Sequence, residues 1–219
     1  MVVGTPIGNL GDITYRAVET LKAVDLVAAE DTRRTRKLLS HLGINPPMIS
    51  YRSHNRERQA GRLLGMLKEG KRIALVTDAG MPGISDPGFI LVRLAREAGF
   101  PVRSIPGVSS LTAALSVSGF PADRFIFEGF LSHKKGPRKK RLQELSMEDR
   151  TVIIFESPHR IASTVDMMAE ICPERPMVLA REMTKIFEEI IRGTPQELSE
   201  RLEKAAPRGE YTLIMEGRR

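Results

Sequence analysis

Tryptophan is missing from this 219-residue sequence, cysteine occurs once, and only 5% of the residues are aromatic. Three tyrosines and eight phenylalanines give little material for a platform on which nucleobases stack. The lone Cys172 cannot form an internal disulfide, fits a reducing compartment, and reads as a small, partly buried hydrophobe. No run approaches the roughly 20 apolar residues needed to cross a bilayer. The opening "MVVGTPIGNL" has neither the basic nor the long apolar segment of a secretory signal, so a cytoplasmic protein without a membrane partner is expected. The four histidines, His41, His54, His133 and His159, show no ligand spacing, and no metal is expected. No Walker lysine follows a glycine loop, and Pro6 interrupts "GTPIGNLGD" where a dinucleotide fingerprint would run on into a helix.

What is present describes a packed, basic α/β protein. Hydrophobic residues make up 41% and charged residues 28%, enough for a core. The formal net charge of +7 suggests a polyanionic partner. Strand-like runs ("DLVAAE", "MISY", "RIALVT", "VRSIP") alternate with helical ones. Ala17, Val18, Leu21 and Val24 share one helical face; Leu63, Leu64 and Leu67 share another. Thr32 reads as the N-cap of the helix ending at Gly43, and Asp86 with Pro87 as N-cap and N1 of the helix ending at Gly99. After Gly119 and Pro121 the texture changes. "RFIFEGFL", "TVIIFE", "MVLAREM", "EEIIRGT" and "YTLIMEG" read as strands, and Thr194 with Glu197 forms a capping box at Pro195. Two lobes are therefore expected, 1–118 and 119–219, with a ligand cleft between them.

Three loops follow strands in the first lobe: Gly4–Asp12, "LVTDAGMPGISDPG" (Leu75–Gly88) and "IPGVSS" (Ile105–Ser110). Glycine lets a ligand approach the backbone and proline stiffens the path. Loops at the C-terminal ends of parallel strands are where open α/β sheets bind ligands. Asp78 ends an apolar strand, where a carboxylate is costly unless something binds it.

The ordered motifs "GTPIGNLGDIT", "AAEDTRRTRKLL", "SHN", "LVTDAGMPGISDPG", "IPGVSS", "FESPHR" and "REMTKIFEEIIRGT" resemble the tetrapyrrole methylase superfamily, and within it the branch acting on ribosomal RNA. The resemblance implies a two-lobed α/β fold, S-adenosylmethionine in the cleft, and a homodimer. It also implies methylation of the 2′-hydroxyl of a cytidine in the decoding region of 16S rRNA, free or within the small ribosomal subunit. By position it gives the cofactor Pro6, Ile7 and Gly8; Asp78, Gly80, Pro82, Gly83 and Ile84; Ser109 and Ser110. From the second lobe it gives Phe155, Glu156, Ala180, Arg181 and Tyr211. Many members of this branch continue into a further C-terminal region, whereas this sequence stops soon after "YTLIMEG".

Methyl transfer from a sulfonium needs in-line geometry, which positioning supplies. The donor loses its charge as it reacts, so backbone carbonyls suit it better than a closely placed anion. The attacking hydroxyl needs a proton acceptor. The "EDTR" stretch, Glu30, Asp31 and Arg33, is the first candidate for the acceptor side; Glu156, His159, Glu182 and Lys185 remain open.

Two basic runs stand out. "TRRTRK" (Thr32–Lys37) carries four cations in six residues and "KKGPRKKR" (Lys134–Arg141) six in eight. Both sit at predicted helix N-termini, where the dipole disfavours a cation by about 0.3–1 kcal/mol and free amides suit phosphate. Arg34, Arg36, Lys134, Lys135, Arg138, Lys139, Lys140 and Arg141 are therefore expected to hold RNA. Gly136 and Pro137 suggest a flexible loop in the second run. Two alternatives remain at this point: a methylase of a tetrapyrrole or corrinoid precursor, and a non-catalytic RNA-binding assembly protein.

Overall fold

The computed structural model describes residues 1–53, 55–204 and 206–218. Its contacts divide the chain into two units, Met1–Ser109 and Ser110–Arg219.

The first unit is a parallel sheet wrapped by helices. In chain order it holds β1 (Val2–Val3), α1 (Tyr15–Ala23), β2 (Leu26–Ala29), α2 (Thr32–His41), β3 (Met48–Ser50), α3 (Arg56–Lys68), β4 (Ile73–Val76), α4 (Gly88–Glu97) and β5 (Ser104–Ile105). The strands lie in the order β3-β2-β4-β1-β5, and every pairing is parallel. β2 and β4 are buried at every position, as a sheet covered on both faces requires. Alternate residues serve opposite faces. Val27, Ala29, Ala74 and Val76 pack with Ala17 and Leu21 of α1 and Leu39 of α2. Leu26, Ala28, Ile73 and Leu75 pack with Ala60 and Leu63 of α3 and Leu91 of α4.

The second unit holds α5 (Ser110–Ser118), β6 (Phe125–Phe130), α6 (Lys135–Ser146), β7 (Thr151–Glu156), α7 (Ile161–Ile171), β8 (Met177–Arg181), β9 (Glu189–Gly193), α8 (Pro195–Lys204) and β10 (Tyr211–Met215). Its sheet is mixed, in the order β6-β7-β10-β8-β9, with only β6 and β7 parallel. Leu142, Leu145, Val165, Met168, Leu198 and Leu202 of α6, α7 and α8 cover one face. Leu111, Ala114 and Leu115 of α5 cover the other, against Ile153, Val178, Ala180 and Ile214.

Four expectations need correction. The boundary falls before α5, not after it, because α5 covers one face of the second sheet. The N-cap of α2 is Asp31, extended at φ −117°, whose carboxylate accepts from Arg33 N at 2.8 Å; Thr32 is already helical. Pro87 flanks α4, which starts at Gly88; the Asp86 carboxylate reaches past it to Gly88 N at 2.6 Å. The second basic run is helix from Lys135, not loop. Gly136 and Pro137 lie in its first turn, where a backbone N–H has no partner within the helix and a proline loses nothing. The capping box of α8 forms as read: Glu197 N donates to Thr194 Oγ1 at 3.3 Å and Thr194 N to Glu197 Oε2 at 2.7 Å.

Candidate active site

The three loops of the first unit interlock where β1, β4 and β5 end. Thr5 and Gly80 form an isolated antiparallel bridge, exchanging two N–H···O bonds of 3.0 Å. The buried Thr5 hydroxyl also donates to the Thr77 carbonyl at 3.1 Å. Gly4 lies against Gly107 so closely that a Cβ on Gly4 would stand 2.8 Å from Gly107 Cα. A Cβ on Gly4 therefore forces the backbone apart, whereas one on Gly107 would stand 3.0 Å from Gly4 Cα, a tight contact that a small shift relieves. Asp86 clips the middle loop from within: its carboxylate accepts from Gly83 N at 2.8 Å as well as from Gly88 N. Burial, the larger influence, raises the Asp86 carboxyl above its ordinary pKa against the pull of those amides.

Beside this junction three carboxylates meet at the ends of β2 and β4. Glu30 Oε2 accepts from Thr77 Oγ1 at 2.5 Å and from Asp78 N at 3.3 Å. Asp78 Oδ1 accepts from Asp31 N at 2.9 Å, while its Oδ2 stands 3.5 Å from Arg34 Nη1. Asp31 is bracketed by Arg33 at 2.8 Å and Arg52 at 2.9 Å, and Arg52 Nε also donates to the Glu30 carbonyl. The Arg33 hydrogen bonds hold Asp31 well below the usual carboxylate range. Asp78 moves the other way, raised by burial first and by the charge of Glu30 second. Adjacent carboxylates of one cluster thus have opposite tendencies to keep a proton. A cavity of about 130 Å³ opens here, walled by Thr5, Pro6, Leu10, Arg34, Thr35, Lys37, Leu38, Thr77 and Asp78.

In the second unit, the expected positions form two adjacent rows across three strands. Phe155 of β7 and Ala180 of β8 both pair with Thr212 of β10; Glu156 and Arg181 both pair with Tyr211. Glu156 is closed on itself, its side chain fully buried. It accepts from Arg160 at 2.6 Å, Ser157 N at 2.8 Å and Thr164 Oγ1 at 2.9 Å. Lys185 likewise pairs with Glu182 at 2.8 Å and Glu210 at 3.0 Å.

Residues 1–199 match the family model of the Tetrapyrrole (Corrin/Porphyrin) Methylases. The chain belongs to that family. It is 52% identical over 217 residues to the ribosomal RNA small subunit methyltransferase I of Synechocystis sp., spanning 99% of this chain and 78% of that one. To the enzyme of the same name from Thermotoga maritima it is 48% identical over 218 residues, spanning 100% and 98%. Its fold is that of solved tetrapyrrole methylases: it superposes on the methyltransferase CobJ with a TM-score of 0.72 at 20% identity, covering 99% of this chain and 94% of that one. On the cobalt precorrin-4 methyltransferase CbiF the TM-score is 0.71 at 20% identity, covering 98% and 93%.

A methylase of this family uses a methyl donor, and the first-unit loops suit a cationic one. With Asp86 turned onto its own amides, the loop through Gly80, Pro82, Gly83 and Ile84 presents main-chain groups, not a full anion. Pro6 and Ile7 are buried beside it, Gly8 is exposed, Ser109 stands between β5 and α5, and Ser110 opens α5.

The basic runs divide by partner. Arg36 donates to Asn45 at 3.2 Å, away from the carboxylates. Arg138 is buried and donates to Ser163; Lys139 pairs with Glu170 at 2.5 Å. Arg141 grips both oxygens of Glu128 at 2.8 and 2.7 Å and also Glu144 at 2.7 Å. Lys134, Lys135 and Lys140 are exposed. His54, in the "SHN" motif, lies outside the described residues. Sequence reasoning passed over Thr5, the hydroxyl of Thr35, and Arg52. Arg52 carried a usable signal, a cation two residues past a strand on the same sheet edge as Asp31.

Proposed function

We propose that the chain transfers a methyl group from S-adenosylmethionine to the 2′-hydroxyl of a cytidine in small-subunit ribosomal RNA. The observation that carries this reading is the identity of 45–52% with proteins named ribosomal RNA small subunit methyltransferase I. The corrinoid enzymes, at 20%, share the fold alone. On this reading the protein works in the cytoplasm, as a homodimer.

The donor is held by Pro6, Ile7, Gly8, Gly80, Pro82, Gly83, Ile84 and Ser109 of the first unit; the second-unit positions that the resemblance gives it, Phe155, Glu156, Ala180, Arg181 and Tyr211, lie side by side across β7, β8 and β10. When bound, S-adenosylmethionine supplies an electrophilic methyl group. The rigid loop junction fixes its direction, so positioning carries much of the rate. Asp31 is a poor proton acceptor because Arg33 and Arg52 hold it ionised. Asp78 is the better one: its carboxyl is raised, its side chain is 23% exposed, and it stands on the cavity wall. We therefore place Asp78 on the acceptor side. Lys134, Lys135 and Lys140 hold RNA phosphates, since the other cations of that helix already have partners.

The test is incubation with methyl-labelled donor and small ribosomal subunits, followed by nuclease mapping. Label in the ribose of a single cytidine is expected. Label on a base and not on a ribose, or none despite tight RNA binding, overturns the reading; sedimentation of the free protein tests the dimer.

A further inference from the structure

We infer that the cavity beside α2 seats the ribose of one nucleotide of the RNA strand, with the sugar hydroxyls toward Thr35 and an adjoining phosphate on Lys37 and Arg34. This rests on the RNA reading above and goes beyond it, to the place where the substrate is held.

The first observation is an oxygen with nothing to bind. Thr35 is 4% exposed, and its hydroxyl has no hydrogen-bond partner among the described residues. A buried hydroxyl left unsatisfied is destabilising. A threonine inside a helix can bond back to the carbonyl four residues earlier; here the Asp31 carbonyl accepts the Thr35 amide and not the hydroxyl. Valine would fill the same space without the penalty. A chain selected only to fold has no use for that oxygen, whereas a ligand in the cavity that Thr35 lines gives it a partner.

The second observation is which cations of the run line the cavity. Arg33 is turned to Asp31 and Arg36 to Asn45. Arg34 and Lys37 are the pair on the wall. Arg34 lies 3.5 Å from Asp78 with its side chain 65% exposed. Lys37 is exposed and pairs with no carboxylate among the described residues. Two cations beside one carboxylate favour an anion. They oppose the methyl donor, which is itself cationic, so the cavity serves a ligand other than the donor, with Pro6 of the donor loop forming part of the wall.

The third is size and lining. At about 130 Å³ the cavity is well below the roughly 300–1,000 Å³ that engulfs a drug-sized ligand. It admits one sugar or one ring. Pro6, Leu10 and Leu38 supply apolar surface for it, and Asp78 closes the wall next to the donor loops.

The experiment compares wild type with Thr35→Val, Thr35→Ser and Lys37→Met. A fluorescently labelled 16S rRNA fragment is titrated without donor, S-adenosylmethionine is titrated separately by calorimetry, and thermal unfolding is recorded for each protein. Thr35→Val should weaken RNA binding about tenfold, the loss of one good hydrogen bond, yet raise the Tm. Thr35→Ser should bind RNA like wild type. Lys37→Met should reduce the salt dependence of RNA binding by about one phosphate contact. Donor affinity should be the same in all four. RNA binding by Thr35→Val equal to wild type, or a lowered Tm showing that the hydroxyl serves the fold, overturns the inference. Weakened donor binding in Thr35→Val overturns it too, since the cavity would then belong to the donor. Failure of the wild type to bind donor sinks the donor assignment alone, because the RNA titration contains none.

Discussion

Asp78 and Glu156 read alike in the sequence: each is a carboxylate at the end of a buried strand, followed by an irregular turn. The structure separates them. Glu156 is surrounded by donors from its own turn and helix, and its side chain has no exposure. Asp78 keeps 23% of its side chain exposed, has one amide and one distant guanidinium, and shares its neighbourhood with Glu30. A carboxylate satisfied by its own segment maintains the fold. One left partly unsatisfied at a loop junction is available for chemistry.

That contrast can be broken at either end. The largest effect belongs to Glu156→Ala, which strands the Arg160 guanidinium, itself only 13% exposed. A loss of about 3–5 kcal/mol in chemical denaturation is expected; a loss near zero would make Glu156 no more structural than Asp78. Next comes Asp78→Asn. Its kcat should fall about 100-fold, the lower end for losing a general base, with donor affinity unchanged by calorimetry. A changed donor affinity would return Asp78 to the donor side. Stability gives a second reading with a definite sign. Burial raises the folded-state pKa of Asp78, so its contribution is favourable below the unfolded value of about 3.9 and is lost as pH rises through the raised value. Asp78→Asn should therefore melt higher than wild type at neutral pH, and the gap should close on acidification.

The smallest effects sharpen the same distinction among cations. Arg141→Ala unpairs Glu128 and Glu144 and should cost about 1 kcal/mol, limited by solvent screening, with RNA affinity nearly unchanged. The triple change Lys134→Ala, Lys135→Ala and Lys140→Ala should leave the Tm alone. It should lower the slope of RNA affinity against salt by up to about three contacts. If the two variants exchange phenotypes, partner occupancy is the wrong criterion.

The alternation of strands and helices, the capping box at Thr194 and the three glycine loops were legible because they depend on near neighbours. Helix starts were misread by one residue at Thr32 and Asp86, since adjacent polar side chains compete for the same amides and only backbone angles decide. The ion pairs of the basic run of α6 were not legible because their partners are distant: Glu128 comes from the irregular stretch of β6, where the register shifts, and Glu170 from α7. Helix α5 looked like the end of the first lobe because nothing in its own residues shows which sheet it will cover. The orphaned hydroxyl of Thr35 has no sequence signal, being defined by what fails to reach it.

The contact of Gly4 with Gly107 carries a consequence for variation. The two residues are remote in sequence, yet each occupies the space a methyl group on the other would need. The clearance is unequal: 2.8 Å for a methyl on Gly4 and 3.0 Å for one on Gly107, so the first must part the backbones and the second need only nudge them. A library randomised at both codons together and screened for folded protein should return glycine at position 4 throughout, with alanine tolerated at most at position 107.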